Sequence, residues 1–557
     1  MKKILFIASS LLAATGIYTS CQKADPVIRM DKSALGDIYL TMAGRANDRL
    51  FDGRYSTNND TIYFDIPWYL PPDFDEEVDL KKLIVKATIP TESKITPALS
   101  GIMDLSNPFS FSVTAGNGTQ SKYVIVARKV GDLSISKAQI EIASGGTTEK
   151  IEGIIQENQI IFYVLPGTDA SAAKLSYNIN PHSTGSIAQN TPIDLRQDVP
   201  FTVKAVDGKT KTYTLRMLEP VKLDRGVGIS RTLFSKAPAD MGFTDNNEVC
   251  LAVSGDYLVI TRRTNPSKYS VFNRFTGAYV KEMYYPFAGL SFQLVNDSAD
   301  HLLAATWAPK NSQFTLYRYN NVDDVTPVKL IDWTNNNPTG ITADGGVGRR
   351  VNVYGDLTKT AVIMATAGQS DVIYKWRVVN GAVVSNTPEA IKYKSLTGGS
   401  TTMMEFYAEA QPISADPNGD YFLNYKYEVA LVSGSTNQRL SALSIGAPTV
   451  STMPTTYFWF NNANYLGITH IVQATSLNKA YMSLYDVSNL SKLSMPKTDP
   501  DYNKFNVFNS AQLSGTTNGN GTADICVGYS NNRDRVQVYM LLTNGGVLAQ
   551  EFTKYAP

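Results

Sequence analysis

The residues with the chemistry to act on another molecule point to recognition more than to turnover. The densest group is Tyr457-Phe458-Trp459-Phe460-Asn461-Asn462, four aromatics followed by two amides. A sugar presents an apolar face of C–H groups and an edge of hydroxyls, so its sites combine flat aromatics with amide, guanidinium or carboxylate side chains. Tyr457, Trp459 and Asn461 are therefore candidate ligand contacts, with Arg263, Trp307, Lys310, Tyr407 and Arg533 from other segments read as loops. The carboxylates Asp245, Glu248, Asp344, Glu405 and Glu409 are the candidates for hydrolytic chemistry, which needs an acid and a base or nucleophile facing each other. Isolated carboxylates of this kind more often accept hydrogen bonds from backbone, so no catalytic residue is expected. His182, His301 and His470 lack a metal-ligand spacing such as HExxH, and no nucleophile elbow, phosphate loop or dinucleotide fingerprint is present. Neither a metal nor a cofactor is expected.

At 557 residues the chain is too long for one ordinary core. Thirty-one tyrosines and 39 glycines, with abundant Thr, Ser, Asn and Val, favour strands joined by tight turns, so the expected class is all-β. A formal charge of +1 provides no global field to draw in nucleic acid, and no nucleic-acid partner is expected. Three cysteines cannot make a disulfide framework. Cys250 and Cys526 fall on early strands of the first and last repeat units, which ring closure would bring together, with packing the favoured role and a pair the alternative.

Those repeat units dominate the second half. Ser254-Gly255-Asp256-Tyr257-Leu258-Val259-Ile260 is nearly repeated by Gly419-Asp420-Tyr421-Phe422-Leu423, with looser echoes at 299–306, 359–366, 478–485 and 522–529. A β-unit recurring about every 40 to 60 residues reads as the blade series of a β-propeller. Units are expected to begin near Val249, Phe292, Val351, Pro412, Leu466 and Ala523, giving six blades, or seven if the region 226–243 pairs with the final strand. With four antiparallel strands per blade, the loops after each second strand and those between blades share a face, which is the expected working face. The segments 334–350, 395–407 and 455–465 are read as long loops opening there.

Upstream, Asp104-Leu105, Phe111, Val113, Ala115, Asn117-Gly118 and Tyr123 match Asp194-Leu195, Phe201, Val203, Ala205, Asp207-Gly208 and Tyr213 at a constant offset of 90. The pattern is a hairpin, with Asn117-Gly118 and Asp207-Gly208 expected to form type I′ turns. Ile62-Tyr63-Phe64-Asp65-Ile66-Pro67 similarly resembles Ile161-Phe162-Tyr163-Val164-Leu165-Pro166. Each unit has the size of an immunoglobulin-like sandwich. The acidic insertion at 71–79 lacks the glycine and alternating oxygens of a calcium loop and is read as solvated.

Lys2 and Lys3 precede an apolar run over 4–14, too short to span a membrane, and Gly16-Ile17-Tyr18-Thr19-Ser20-Cys21 resembles a bacterial lipobox. With the tandem β-domains, this resembles the Bacteroidetes surface lipoproteins that accompany starch-utilisation-like systems. The resemblance implies acylation of Cys21 and attachment to the outer membrane through that lipid, facing the cell exterior. It also implies polysaccharide or oligosaccharide as partner, and proteins of an outer-membrane transport complex as possible neighbours. The expected plan is a signal peptide (1–20), a tether (21–35), two immunoglobulin-like β-sandwich domains (36–130 and 131–218), a link (219–247) and a six- or seven-bladed β-propeller (248–557). The favoured function is non-catalytic carbohydrate binding. Adhesion or complex assembly through the propeller face and a propeller glycosidase are the alternatives.

Overall fold

The computed structural model describes residues 28–44, 48–144, 147–243, 247–336, 346–393, 406–425, 428–444, 450–451, 454–472, 477–517 and 522–557. The leader with Cys21, and Asp245, Asp344 and Glu405, lie outside them. No helix among the described residues is long and apolar enough to cross a membrane. The chain divides into two compact units, one ending at Glu219 and the other beginning at Pro220.

The first unit contains the same plan twice. Its first half pairs Ile38–Met42 with Phe51–Asp52 and Leu83–Ala87 in one sheet. A second, five-stranded sheet runs Arg54–Tyr55, Thr61–Pro67, Gln120–Val130, Phe109–Thr114, Lys94–Thr96. Residues of both sheets, among them Leu40, Ile62, Phe64, Val113 and Ile125, share one core. The second half repeats the five-stranded order with Ile154–Ile155, Gln159–Tyr163, Thr210–Leu218, Val199–Lys204 and Thr184–Gly185, including the parallel central pair.

Two details differ from the sequence expectation. Thr61 pairs with Val124 and Gln159 with Thr214, so the equivalent of Ile62 is Ile160, one residue short of the Ile161 chosen by sequence likeness. The reason is side-chain parity: Ile62, Phe64 and Ile66 are buried like Ile160, Phe162 and Val164, and a shift of one residue would turn each set to the opposite face. At the hairpins Gly118 and Gly208 have positive φ but Asn117 and Asp207 do not. Gly118 N–H donates to Ala115 O and Ala115 N–H to Thr119 O, with the same pattern at Ala205, Gly208 and Lys209. These are type I turns closed by a left-handed glycine, the three-residue solution to the same reversal, and not type I′ turns.

The second unit is a β-propeller. Besides a two-stranded sheet of Val221–Lys222 with Tyr555–Ala556, the described residues form six larger antiparallel sheets, I to VI, whose innermost strands are Glu248–Ser254, Ser291–Asn296, Val347–Gly355, Glu409–Pro412, Thr455–Phe460 and Ala523–Tyr529. Each innermost strand neighbours the next, and the sixth returns to the first, closing a ring. Sheet VI takes its outermost strand, Ser230–Lys236, from the start of the unit, paired to Gly546–Thr553. The expected pairing of this region with the final long strand therefore occurs, and it adds the outermost strand of sheet VI.

There is no single core. Alternate residues of each strand enter hydrophobic clusters on either side of their sheet, so Cys250 and Ala252 pack toward sheet II while Leu251 and Val253 pack toward sheet VI. Burial on both faces explains why these strands read as continuous apolar runs. It also explains why Cys250 and Cys526 do not pair: both are free and buried, Cys250 between sheets I and II and Cys526 between VI and I. Trp376 is buried between sheets II and III together with Trp333.

The fifth unit is the main departure. Its inner strand is Thr455–Phe460, not a strand starting at Leu466, so the aromatic run read as a loop is strand instead. Phe458 and Phe460 are buried between sheets V and VI. Asn461 and Asn462, both at positive φ, form the two-residue turn into Ala463–Val472, where the type I′ geometry does occur.

Candidate functional site

A ring of inner strands leaves one edge of every sheet facing the axis, with backbone groups that no further strand can pair. Polar side chains from neighbouring sheets satisfy them. Asp524 Oδ2 accepts from Leu251 N–H at 2.7 Å, Asn296 Oδ1 accepts from Val253 N–H at 3.1 Å, and Glu409 Oε2 accepts from Thr455 N–H at 3.2 Å. Sheet III reaches sheet VI across the axis: Arg350 Nη1 donates to Asp524 Oδ1 at 2.8 Å and Nη2 to Ala523 O at 2.6 Å. Both charged groups are almost fully buried.

Outward from this ion pair the axis opens into a cavity of about 270 Å³. Its walls carry Gln293, Asn296, Asn352 and Gln411, and its rim carries Tyr354, Tyr457, Trp459, Tyr529 and Arg533. Tyr354 and Tyr457 have ring centres 6.0 Å apart, and burial pushes the Tyr457 phenol up to about 12. Tyr529 Oη donates to the Trp459 carbonyl at 2.9 Å, and the Arg533 guanidinium lies 4.7 Å from the Tyr529 ring centre. Trp459 is 46% exposed. Two buried wall atoms, Gln293 Oε1 and Thr455 Oγ1, have no hydrogen-bond partner. Deep in the cavity, Glu409 is buried and also accepts from Asn352 Nδ2. Burial chiefly, with the nearby Asp524 adding and Arg350 opposing, raises its carboxyl to about 7.

The cavity opens where the inner strands end, at the turns that lead to each second strand: Ser298 and Arg533 belong to those turns, and Gly355 is the last residue of its inner strand. That is the face opposite the one expected, because the inner strands all run in one sense and their large rim side chains gather at the C-terminal ends. The expected contact set is accordingly divided. Tyr457, Trp459 and Arg533 meet at the funnel mouth. Asn461 is a structural residue: its Nδ2 donates to Leu223 O and Gly226 O, anchoring the entry segment. Arg263, Trp307, Lys310 and Tyr407 lie at the other face, where the inner strands begin. There the Arg349 guanidinium stands 4.4 to 5.6 Å from the ring centres of Phe292, Trp307, Phe406 and Tyr407, and Arg263 lies 5.6 Å from that of Phe292.

Of the carboxylates weighed for catalysis, Glu248 and Glu409 are buried on inner strands. Near the funnel rim, Asp297, His301 and Asp356 bring one ligand atom each within 4.8 Å of the others, a grouping hidden in the sequence by the long stretch between the last two. Their oxygens already accept from Ala299, His301, Leu357 and Thr358 N–H groups, which ties the turns of sheets II and III together. Sequence reasoning missed Gln293, Arg350, Asn352, Gln411 and Asp524. For all but Arg350, which follows Arg349, the available signal was a polar residue between apolar ones in the first strand of a unit, as in Phe292-Gln293-Leu294, Val351-Asn352-Val353 and Ala523-Asp524-Ile525.

Residues 232–549, more than half of the chain and most of the propeller, match the model of a domain of unknown function, DUF8500. The chain belongs to the DUF8500 family. Residues 16–127 match a second domain of unknown function, DUF5018, which extends over the first N-terminal β-domain. No curated protein matches the sequence. Similar solved structures include a DUF4623 family protein from Bacteroides eggerthii, at 15% identity, with 76% of this chain and 98% of that one covered and a TM-score of 0.46. A protein of unknown function from Bacteroides thetaiotaomicron is 10% identical, with 80% and 94% covered and a TM-score of 0.35. The β-propeller domain of Cps50 (Swd1) from Myceliophteria thermophila is 11% identical, with 57% and 88% covered and a TM-score of 0.29. The propeller assignment of the DUF8500 segment rests on its own closed ring of sheets.

Proposed function

We propose that this is an exported, lipid-anchored surface protein that binds carbohydrate without turning it over. In this reading Cys21 carries the lipid, two immunoglobulin-like domains form a stalk, and the six sheets are the blades of a propeller whose axial funnel takes a sugar. The observation that carries the reading is the funnel's composition: an aromatic rim of Tyr354, Tyr457, Trp459 and Tyr529, amide walls, and buried Gln293 and Thr455 oxygens without partners. An aromatic face stacks on sugar C–H groups, while the amides and the unpartnered acceptors suit hydroxyl donors. Glu409 and Asp524 hold backbone N–H groups of adjoining strands, which supports a structural role for them over hydrolysis.

The test is affinity electrophoresis of residues 22–557 against plant, host and microbial polysaccharides, beside Trp459→Ala. Because Trp459 is half exposed, the variant should keep its melting temperature within about 1 °C, the expectation for a surface change. Retardation by one glycan class, lost in the variant, is the expected result. Retardation by none, or retardation that Trp459→Ala leaves intact, would overturn the funnel as the binding site.

A further inference from the structure

The funnel leaves the Arg349 cluster at the opposite face without a role. Four rings surround the guanidinium of Arg349: Phe292 from the start of sheet II, Trp307 from the loop after Leu302–Thr306, and Phe406 and Tyr407 from just before Glu409–Pro412. A second guanidinium, Arg263, lies over Phe292 and close enough to act on Arg349 electrostatically. Burial chiefly, and Arg263 with it, push the Arg349 guanidinium below its ordinary value, the Tyr407 hydroxyl opposing.

Among the described residues this cluster has no paired negative charge. No carboxylate of the described residues forms an ion pair with Arg349 or Arg263, although Arg350, the next residue, is fully paired to Asp524. Arg349 Nε and Trp307 Nε1 are buried donors without an acceptor. Gly346, at positive φ, packs close against Trp307: a Cβ there would fall 2.7 Å from the indole nitrogen. A partly buried guanidinium whose Nε has no acceptor, held near a second positive charge against aromatic walls, is an unfavourable arrangement for the isolated protein. Planar guanidinium groups laid on rings are also preorganised to meet a carboxylate or sulfate through their terminal N–H groups.

We propose that Arg349 and Arg263 form an anion-recognition site for the carboxylate or sulfate groups of an acidic polysaccharide, with Phe292, Trp307, Phe406 and Tyr407 as the apolar wall beside it. The identity of the ligand rests on the carbohydrate reading above; the site itself is separate from the funnel. It makes the protein a reader of charged glycan at one face and of sugar hydroxyls at the other.

Isothermal titration of residues 22–557 with oligogalacturonate, with a sulfated glycosaminoglycan fragment, and with neutral oligosaccharides of equal length tests this. Either acidic chain should bind with an affinity that falls as salt rises, and Arg349→Met and Arg263→Met should each weaken it tenfold or more. The two acidic arms distinguish carboxylate from sulfate, and binding of either supports the site. Arg349→Met keeps the apolar stem and removes an uncompensated charge, so its melting temperature should not fall; Arg349→Lys serves as a second variant that retains charge but loses the planar fork. If neither acidic chain binds while a neutral one does, the anion site is overturned and the funnel reading stands. If acidic binding survives both methionine variants and is lost in Trp459→Ala, the charge is read in the funnel and the proposal is overturned. If no chain binds, both readings fall.

Discussion

Replacing Glu409 by Gln should stabilise the propeller at alkaline pH and hardly at all at acid pH. Glu409 is 2% exposed, and its carboxyl is raised from 4.5 to about 7, by burial first and by Asp524 next. The folded state therefore holds a proton that the unfolded state has released between those values. Unfolding releases that proton, so stability declines as pH rises from about 4.5 to about 7 and stays reduced above it. At about 1.4 kcal/mol per pH unit, the accumulated penalty is about 3 kcal/mol. Glutamine keeps an oxygen for Thr455 N–H, and Asn352 can turn its amide over to meet the new Nε2. For a unit of roughly 340 residues, with an unfolding entropy of about 2 cal/mol/K per residue, that corresponds to about 4 to 5 °C. Differential scanning calorimetry of both proteins at pH 4.5 and pH 8 measures it. Glu409→Gln should melt within about 1 °C of the parent at pH 4.5 and about 4 to 5 °C above it at pH 8. An equal offset at the two pH values would show that Glu409 is ionised throughout and refute the account of the channel interior.

Other perturbations have equally definite outcomes. Arg350→Met leaves Asp524 buried and unpaired, so it should cost about 3–5 kcal/mol, read as a drop in the propeller's melting temperature. Combining it with Asp524→Asn should recover part of that loss in a double-mutant cycle. His470 is buried against Tyr481 with neither ring nitrogen hydrogen-bonded, and burial lowers it from 6.5 to about 3. Its unfolded form takes up a proton that the folded form refuses, so stability falls as pH drops from about 6.5 toward 3. His470→Phe should lessen this loss, measured as a smaller difference in melting temperature between pH 7 and pH 4. Asn461→Ala removes two hydrogen bonds to the entry segment and places alanine at φ 45°, so a loss of about 1–3 kcal/mol is expected from chemical denaturation.

Much of the architecture was legible because its determinants are local. Strand content followed from composition, and the duplicated hairpin from residues at fixed spacing around Gly118 and Gly208, where a left-handed glycine is required. The starts of sheets I, II, III and VI fell within four residues of expectation, and that of sheet IV within three. Sheet V was misread because four consecutive aromatics hide the alternation that marks a half-exposed strand. Phe458 and Phe460 face the core shared with sheet VI, Tyr457 faces sheet IV, and Trp459 reaches the rim. Of the candidate contacts, Trp459, Tyr457 and Arg533, chosen by residue type alone, line one cavity. Their meeting place was not legible, since it depends on where strand ends converge around an axis.

By itself the sequence determined which segments become strands, where the chain reverses, and that the second half is a repeated β-unit, because side-chain periodicity and turn chemistry act within a few residues. Only the tertiary structure decided that Arg350 pairs with Asp524 across the axis while Arg349 beside it pairs with no carboxylate of the described residues, and that the funnel opens at the ends of the inner strands. Those outcomes depend on six sheets closing into a ring, which sets side by side residues that the chain keeps far apart.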